Sequence, residues 1–285
     1  MRSTRRGAMG GVTPDRDPAG SIELARFAVE LATGAAAEVR RALAALSGGD
    51  MRTDAKSTAT DLVTATDRAS EQWLVERILT ARPGDGVLGE EGADRAGSSG
   101  VRWVLDPIDG TVNFVLGLPA YAVSVAAEVD GIVVAGAVCN VASGELFRAR
   151  LGGGAYLYDQ PLTGPRSVPL SRAVIGTGFG YDASRRARQI AVVAELLPQV
   201  ADIRRIGAAS LDLCSVAAGR LDGYFEAGLN PWDYAAGALV AAEAGCVVTG
   251  LRGREPSTVM TVAAGTSCAT ELTTLLEVLG ADDVL

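Results

Sequence analysis

The run Trp103-Val104-Leu105-Asp106-Pro107-Ile108-Asp109-Gly110-Thr111-Val112-Asn113-Phe114 constrains this chain most. Its apolar lead-in reads as a buried strand ending in two carboxylates, and the Gly110-Thr111 step after them can open a helix. Acidic side chains at a strand end beside a helix N-terminus bring metal ligands and anion-binding N–H groups to one point. The chain contains no histidine, so its chemistry falls to carboxylates, hydroxyls, lysine or a bound metal. Pro107 fixes its own φ and lacks an N–H, which helps a rigid turn present both carboxylates and the Ile108 carbonyl. Alone, an Asp-x-x-Asp pair is a solvated turn more often than a site.

The 285 residues suffice for a large core as one domain or two intimately packed lobes. No apolar stretch reaches the roughly 18 residues that suggest a membrane span. The basic start Met1–Gly7 is followed by Gly, Pro and charge, with no apolar segment of a secretory signal. Residues 1–20 read as a disordered leader, with Met9 an alternative start, and 21–285 as a single domain of two lobes, roughly 21–170 and 171–285. Cys139, Cys214, Cys246 and Cys268 lie far apart, without a CxxC spacing, and read as buried free thiols in a reducing cytoplasm. A net charge of −8 argues against a nucleic-acid surface, yet metal ions can neutralise the contact with a small phosphorylated molecule.

Ser21 is placed to cap a helix running to about Leu46, and a second helix is expected from Thr66-Asp67 to Arg82, stopped by Pro83-Gly84. A short strand at 86–89 precedes Glu90-Glu91-Gly92. Asp130-Gly131 between the apolar runs 121–129 and 132–140 signals a hairpin with a type I′ turn, and strands at 145–150 and 155–158 extend that sheet. Residues 159–170, with three prolines, read as a surface connection. Strands are expected at 174–179, 202–206, 223–226 and 259–263, and helices at 184–197, 208–218, 231–244 and 268–279. The alternation predicts a mixed α/β protein of layered sheets and helices.

Four acidic features stand out: Glu90-Glu91, Asp106, Asp109 and Asp233. Asn230-Pro231 starts a helix that places Asp233 in its first turn, where a negative charge is favoured by roughly 0.3–1 kcal/mol. If these acids converge, each pair at 4 Å repels by about 4 kcal/mol at an effective dielectric of 20. Such a cluster must hold cations or stay partly protonated. All-oxygen ligands select hard ions, so magnesium is favoured over zinc. Two such ions make a site for phosphoryl transfer to water, with the Gly110 and Thr111 N–H groups cradling the phosphate. Spacing alone does not show that the acids meet.

The run 103–114 resembles the first signature of the inositol monophosphatases, and Pro231-Trp232-Asp233-Tyr234-Ala235-Ala236-Gly237 resembles the second. Gly89-Glu90-Glu91 and Lys56-Ser57-Thr58-Ala59-Thr60-Asp61-Leu62-Val63-Thr64-Ala65-Thr66-Asp67 also match, and the resemblance covers residues 22–280. It implies an alternating α/β/α/β/α sandwich of the inositol monophosphatase and fructose-1,6-bisphosphatase type, a homodimer, magnesium dependence with two to three ions, and lithium sensitivity. Carried over by position, Glu90, Asp106, the Ile108 carbonyl, Asp109 and Asp233 are the metal ligands. Glu90 and Thr111 activate the water, Asp67 orients Thr111, Glu91 supports the loop, and Lys56 holds negative charge near the third ion. Glu226 matches the residue that bonds inositol hydroxyls, and the Gly207-Ala208-Ala209 backbone with Arg204 completes the pocket. Ala208 stands where Thr is frequent and Gly250 where Asp often follows the last strand, which leaves the pocket wall less defined.

The leading expectation is a magnesium-dependent phosphomonoesterase acting on myo-inositol 1-phosphate or a similar polyol phosphate. Two alternatives stay open. The same chemistry could serve fructose 1,6-bisphosphate, histidinol phosphate or 3′-phosphoadenosine 5′-phosphate, although an aromatic content of 5% does not advertise a base-stacking pocket. Or the chain could act mainly as a partner-binding regulatory protein. No nucleic-acid or membrane partner is expected.

Overall fold

Two long helices lead the chain, α1 (Ser21–Ser47) and α2 (Ala55–Ala81). The structure, a computed structural model, describes residues 20–47 and 55–284. α1 begins at the expected Ser21. α2 starts well before Thr66, because no Gly or Pro interrupts residues 55–81 and the polar Ser/Thr-rich stretch offers no other stop.

The first sheet is built from β1 (Gly86–Gly89), β2 (Asp94–Arg95), β3 (Val101–Asp109), β4 (Ala122–Val129), β5 (Ile132–Asn140), β6 (Leu146–Arg150), β7 (Gly154–Leu157) and β8 (Gln160–Pro161), with the short helix α3 (Thr111–Leu116) after β3. Its order is β2-β1-β3-β4-β5-β6-β7-β8, antiparallel except for β1 beside β3. Asp130 at φ 51° and Gly131 at φ 82° form the β4–β5 turn, both positive as a type I′ hairpin requires. The central strands are buried on both faces, which demands helices on each side. Successive β3 residues divide accordingly. Trp103 and Leu105 pack with Leu31, Leu74 and Ile78 of α1 and α2, whereas Val104 faces the opposite core.

The second half adds β9 (Val174–Thr177), α4 (Ala183–Leu196), β10 (Asp202–Arg204), α5 (Ala209–Ala217), β11 (Gly223–Glu226), α6 (Pro231–Glu243), β12 (Val247–Thr249), β13 (Thr261–Ala264) and α7 (Ala269–Val278). The second sheet has the order β10-β9-β11-β13-β12. β12 escapes a sequence reading because three residues carry too little periodicity, and β13 begins at Thr261, later than the Val259 expected. Leu213, Val216, Ala236 and Val240 of α5 and α6 fill the space between the sheets against Val104, Val138 and Tyr224. Leu196 and Leu272, from α4 and α7, pack with Ile175 and Val262 of the second sheet. The layers are therefore α1/α2, sheet, α5/α6, sheet, α4/α7, the sandwich that the resemblance implied. All four cysteines are buried free thiols. Among the described residues no helix is long and apolar enough to cross a membrane.

Candidate active site

Residues three apart on an unbroken strand point to opposite faces. The β3–β4 register pairs Asp106 with Ser124 but Asp109 with Ala122, so β3 carries one extra residue over this step. That β-bulge contains Pro107, whose missing N–H costs no ladder bond there, and it brings Asp109 to the side of Asp106. The rigid turn expected at Pro107 is thus a bulge within the strand. Asp106 Oδ1 accepts from the Ile108 N–H at 3.0 Å, and the Thr111 hydroxyl donates to the Ile108 carbonyl at 3.1 Å. Gly110 follows at φ 90°, where a Cβ would also fall 2.8 Å from the Ala120 carbonyl oxygen.

Other elements deliver the remaining groups. Glu90 lies just past the end of β1, Glu226 ends β11, and Asp233 sits in the first turn of α6, where it accepts from the Asn230 N–H at 2.6 Å. The N-terminus of α5 holds Asp109, whose carboxylate accepts from the Ala209 and Ser210 N–H groups. Asn113 ties α3 to the segment before α5, donating to the Ala120 and Ile206 carbonyls at 2.8 and 2.9 Å. One cleft of about 500 Å³ is lined by Glu90, Asp106, Ile108, Asp109, Gly110, Thr111, Ala209, Glu226 and Asp233.

Three expected residues, Arg204, Asp67 and Glu91, do not line the cleft. Arg204 is exposed and pairs with Asp202 at 2.6 Å, while Arg205 lines the cleft, because neighbouring residues leaving a strand face opposite sides. Asp67 is buried behind the cleft, and the Thr111 hydroxyl bonds the Ile108 carbonyl, not Asp67. Glu91 also stands behind it, with Oε2 3.5 Å from Arg68 Nε. The Lys56 side chain lies outside the described residues.

Sequence reading missed Glu71, Ser210, Arg185 and Arg205. Both Glu71 oxygens accept from the loop that carries Glu90, one from the Glu91 N–H at 2.8 Å and one from the Ala93 N–H at 2.9 Å. Its spacing of one helical turn from Asp67 was the available signal. Arg185 and Arg205 are the basic residues of the cleft lining, and nothing local marked either.

The acids raise one another's proton affinity. Burial, then Glu90, Asp109 and Asp233, pushes Asp106 well above the ordinary carboxylate range. Burial and Asp109 push Asp233 up to about 8, and burial pushes Glu226 up to about 7 despite the Tyr224 hydrogen bond. Asp109 rises only to about 6, because the Ser210 and Ala209 donors oppose its burial. Glu90 reaches solvent at the cleft mouth, yet desolvation and the neighbouring acids also raise it. Asp67 is pushed up to about 8 by burial and by Glu91, Glu90 and Glu71, and its Oδ1 is buried without a partner. Among the described residues no three of these side chains stand in a ready-made coordination geometry. Asp109 is turned to Ser210 and Asp233 to the Asn230 N–H. An all-oxygen set this short of positive charge, with an orphaned carboxylate oxygen behind it, fits a hard divalent cation.

The family model described as the inositol monophosphatase family matches residues 22–279. The inositol-1-monophosphatase of Mycobacterium leprae is 52% identical over 252 residues, covering 82% of this chain and 85% of that protein. The Nus factor SuhB of Pasteurella multocida is 44% identical over 206 residues, covering 72% and 77%. The solved structure of Mycobacterium tuberculosis SuhB aligns with a TM-score of 0.78 at 46% identity, covering 91% of this chain and 97% of that one. These likenesses support a phosphatase role. With a model match over nearly the whole chain, close relatives and the same layered fold, the chain belongs to the inositol monophosphatase family.

Proposed function

We propose that this chain is a magnesium-dependent phosphomonoesterase that converts myo-inositol 1-phosphate, or a similar polyol phosphate, to the free polyol and phosphate. The observation that supports this reading is the single cleft shared by Glu90, Asp106, Ile108, Asp109, Asp233 and Glu226. The carboxylates of Glu90, Asp106, Asp109 and Asp233 and the Ile108 carbonyl would hold two to three magnesium ions. Bound there, magnesium would supply positive charge opposite the phosphoryl oxygens and acidify a water. Glu90, open to solvent and raised in proton affinity, is suited to take the proton of the attacking water. The Thr111 hydroxyl, now on the Ile108 carbonyl, would orient that water, with Asp67 behind it. The Gly110 and Thr111 N–H groups would meet the phosphate at the start of α3. Glu226 would accept from the polyol hydroxyls beside the Ala209 backbone, and Arg205 and Arg185 would draw the anionic ester to the cleft.

Phosphate release from myo-inositol 1-phosphate, measured with and without magnesium and with Asp106→Asn as control, tests the proposal. No magnesium-dependent turnover, or an unimpaired variant, rejects it. A kcat/KM ranking that favours fructose 1,6-bisphosphate, histidinol phosphate or 3′-phosphoadenosine 5′-phosphate would keep the chemistry and change the substrate. The name Nus factor carried by the Pasteurella multocida relative favours a second reading, a partner-binding regulatory role. Partner capture and a cellular phenotype that both survive Asp109→Asn would support it. Further parts of the main proposal are a single catalytic domain of two packed lobes, a homodimer, lithium inhibition and a cytoplasmic setting.

A further inference from the structure

β9 and β11 run side by side in parallel, and their register sets Tyr224 beside Gly176 and Phe225 beside Thr177. With a side-chain period of two, the next pair on the Tyr224 face is Glu226 against Gly178. A Cβ at Gly178 would overlap the Glu226 carboxyl. One at Gly176 would fall 3.2 Å from the Tyr224 ring and 3.0 Å from Asp212 Oδ1. Gly176 of β9 and Gly178 just past its end thus clear the space in which two large polar side chains of β11 lie.

Tyr224 is fully buried, and its hydroxyl donates to Glu226 Oε2 at 2.6 Å. A phenylalanine would fill the same volume, so the hydroxyl serves the carboxylate. Among the described residues no second hydrogen-bond donor reaches Glu226, although its side chain lines the cleft. Asp212 of α5 is buried nearby with Oδ1 unpartnered, and the two carboxylates repel. Without the phenol, nothing hydrogen-bonds Glu226 in place against that repulsion.

We propose that Tyr224 is a positioning residue that fixes Glu226 as a directed acceptor for substrate hydroxyls, so that the pair selects phosphate esters of polyols over esters that lack hydroxyls. The inference rests on the phosphatase reading above. Tyr224 occupies one carboxylate oxygen and leaves acceptor capacity for the substrate. An ester without hydroxyls leaves this half-buried acceptor without its partner, and sites built to bond a hydroxyl discriminate against analogues that lack one for that reason.

The experiment measures kcat and KM at saturating magnesium for myo-inositol 1-phosphate and for phenyl phosphate, in the wild-type chain, Tyr224→Phe and Gly178→Ala. Loss of a hydrogen bond to a charged group should raise the Tyr224→Phe KM for the inositol ester about ten-fold, with kcat moving less than about two-fold. The ratio of kcat/KM for the inositol ester to that for phenyl phosphate should fall about ten-fold as well. Gly178→Ala displaces Glu226 with the phenol intact, and the same ratio should fall. An unchanged ratio in Tyr224→Phe overturns the inference, as does an equal loss on both esters, the mark of a merely structural role. Should Tyr224→Phe not fold, Gly178→Ala decides: a lowered ratio supports the inference and a wild-type ratio overturns it. A wild-type chain without magnesium-dependent turnover of the inositol ester removes the proposed function and this inference together. Turnover with an unmoved ratio removes the inference alone.

Discussion

Ser210 donates twice to one oxygen of Asp109, from its backbone N–H at 2.7 Å and from its hydroxyl at 2.5 Å, while the Ala209 N–H reaches the other oxygen at 3.2 Å. The start of α5 thereby clamps the carboxylate presented by the β3 bulge. Three donors stabilise the ionised form, which explains why Asp109 is pushed only to about 6 while Asp233, with fewer donors, reaches about 8.

Ser210→Ala removes one hydrogen bond to a charged group and leaves the backbone donor in place. The loss should cost about 1.5–3 kcal/mol, read as a lower urea midpoint at an unchanged m-value. A variant as stable as the wild type would show that the hydroxyl contributes nothing net.

Glu71→Ala frees the N–H groups of Glu91 and Ala93 and so loosens the loop that carries Glu90. Outer supports of metal ligands typically matter by about 10–100-fold in metal affinity, so the magnesium concentration for half-maximal activity should rise by that factor. Magnesium titration of the melting temperature should move in parallel. Wild-type values in both titrations would count against this role of the loop anchor.

Asp106→Asn replaces the fully buried acid with a neutral amide of the same shape. Magnesium-dependent turnover should fall by at least about 100-fold, since a ligand matters more than its outer support. At pH values where Asp106 is ionised, metal-free Asp106→Asn should gain about 2–4 °C in melting temperature per kcal/mol of relieved repulsion. Under the proposed function magnesium raises the melting temperature of the wild type, and in Asp106→Asn that rise should shrink. A variant that keeps the full magnesium shift would show that Asp106 does not bind the ion.

Metal-free protein should become less stable as pH rises between about 4, where an unfolded Asp ionises, and about 8, where Asp67 and Asp233 ionise in the fold. Both groups hold their protons more tightly when folded, so in this window the native state binds more protons than the unfolded state. Their stabilising contribution is complete below the unfolded value and lost on passing through the folded one. Under the proposed function magnesium would favour the ionised cluster and should restore stability at the upper end. Melting temperatures at about pH 5 and about pH 8, with and without magnesium, decide the matter. A metal-free melting temperature that is flat or rising would contradict it.

What the sequence determined by itself was local. Asp130-Gly131 dictates a type I′ hairpin because few other pairs tolerate two positive φ angles. Asn230-Pro231 starts α6 and sets Asp233 in its first turn, and β11 runs over the very residues that its apolar pattern marked. The acids Glu90, Asp106, Asp109 and Asp233 were legible as candidates from their places at strand and helix ends, while Glu226 was legible only through the resemblance to the family, and the sequence did not show that they meet. Tertiary structure decided the rest. The one-residue bulge that turns Asp109 toward Asp106 exists only in the register of β3 on β4. The choice of Arg205 over Arg204 follows from which side of the chain leaving β10 meets the cleft. The Ser210 clamp, the Glu71 anchor and the Tyr224–Glu226 pair depend on packing between elements or on the space left by a neighbouring strand. Side-chain chemistry is written along the chain, but which donors meet which acceptors is set by close packing between segments far apart in sequence, and no local pattern encodes it.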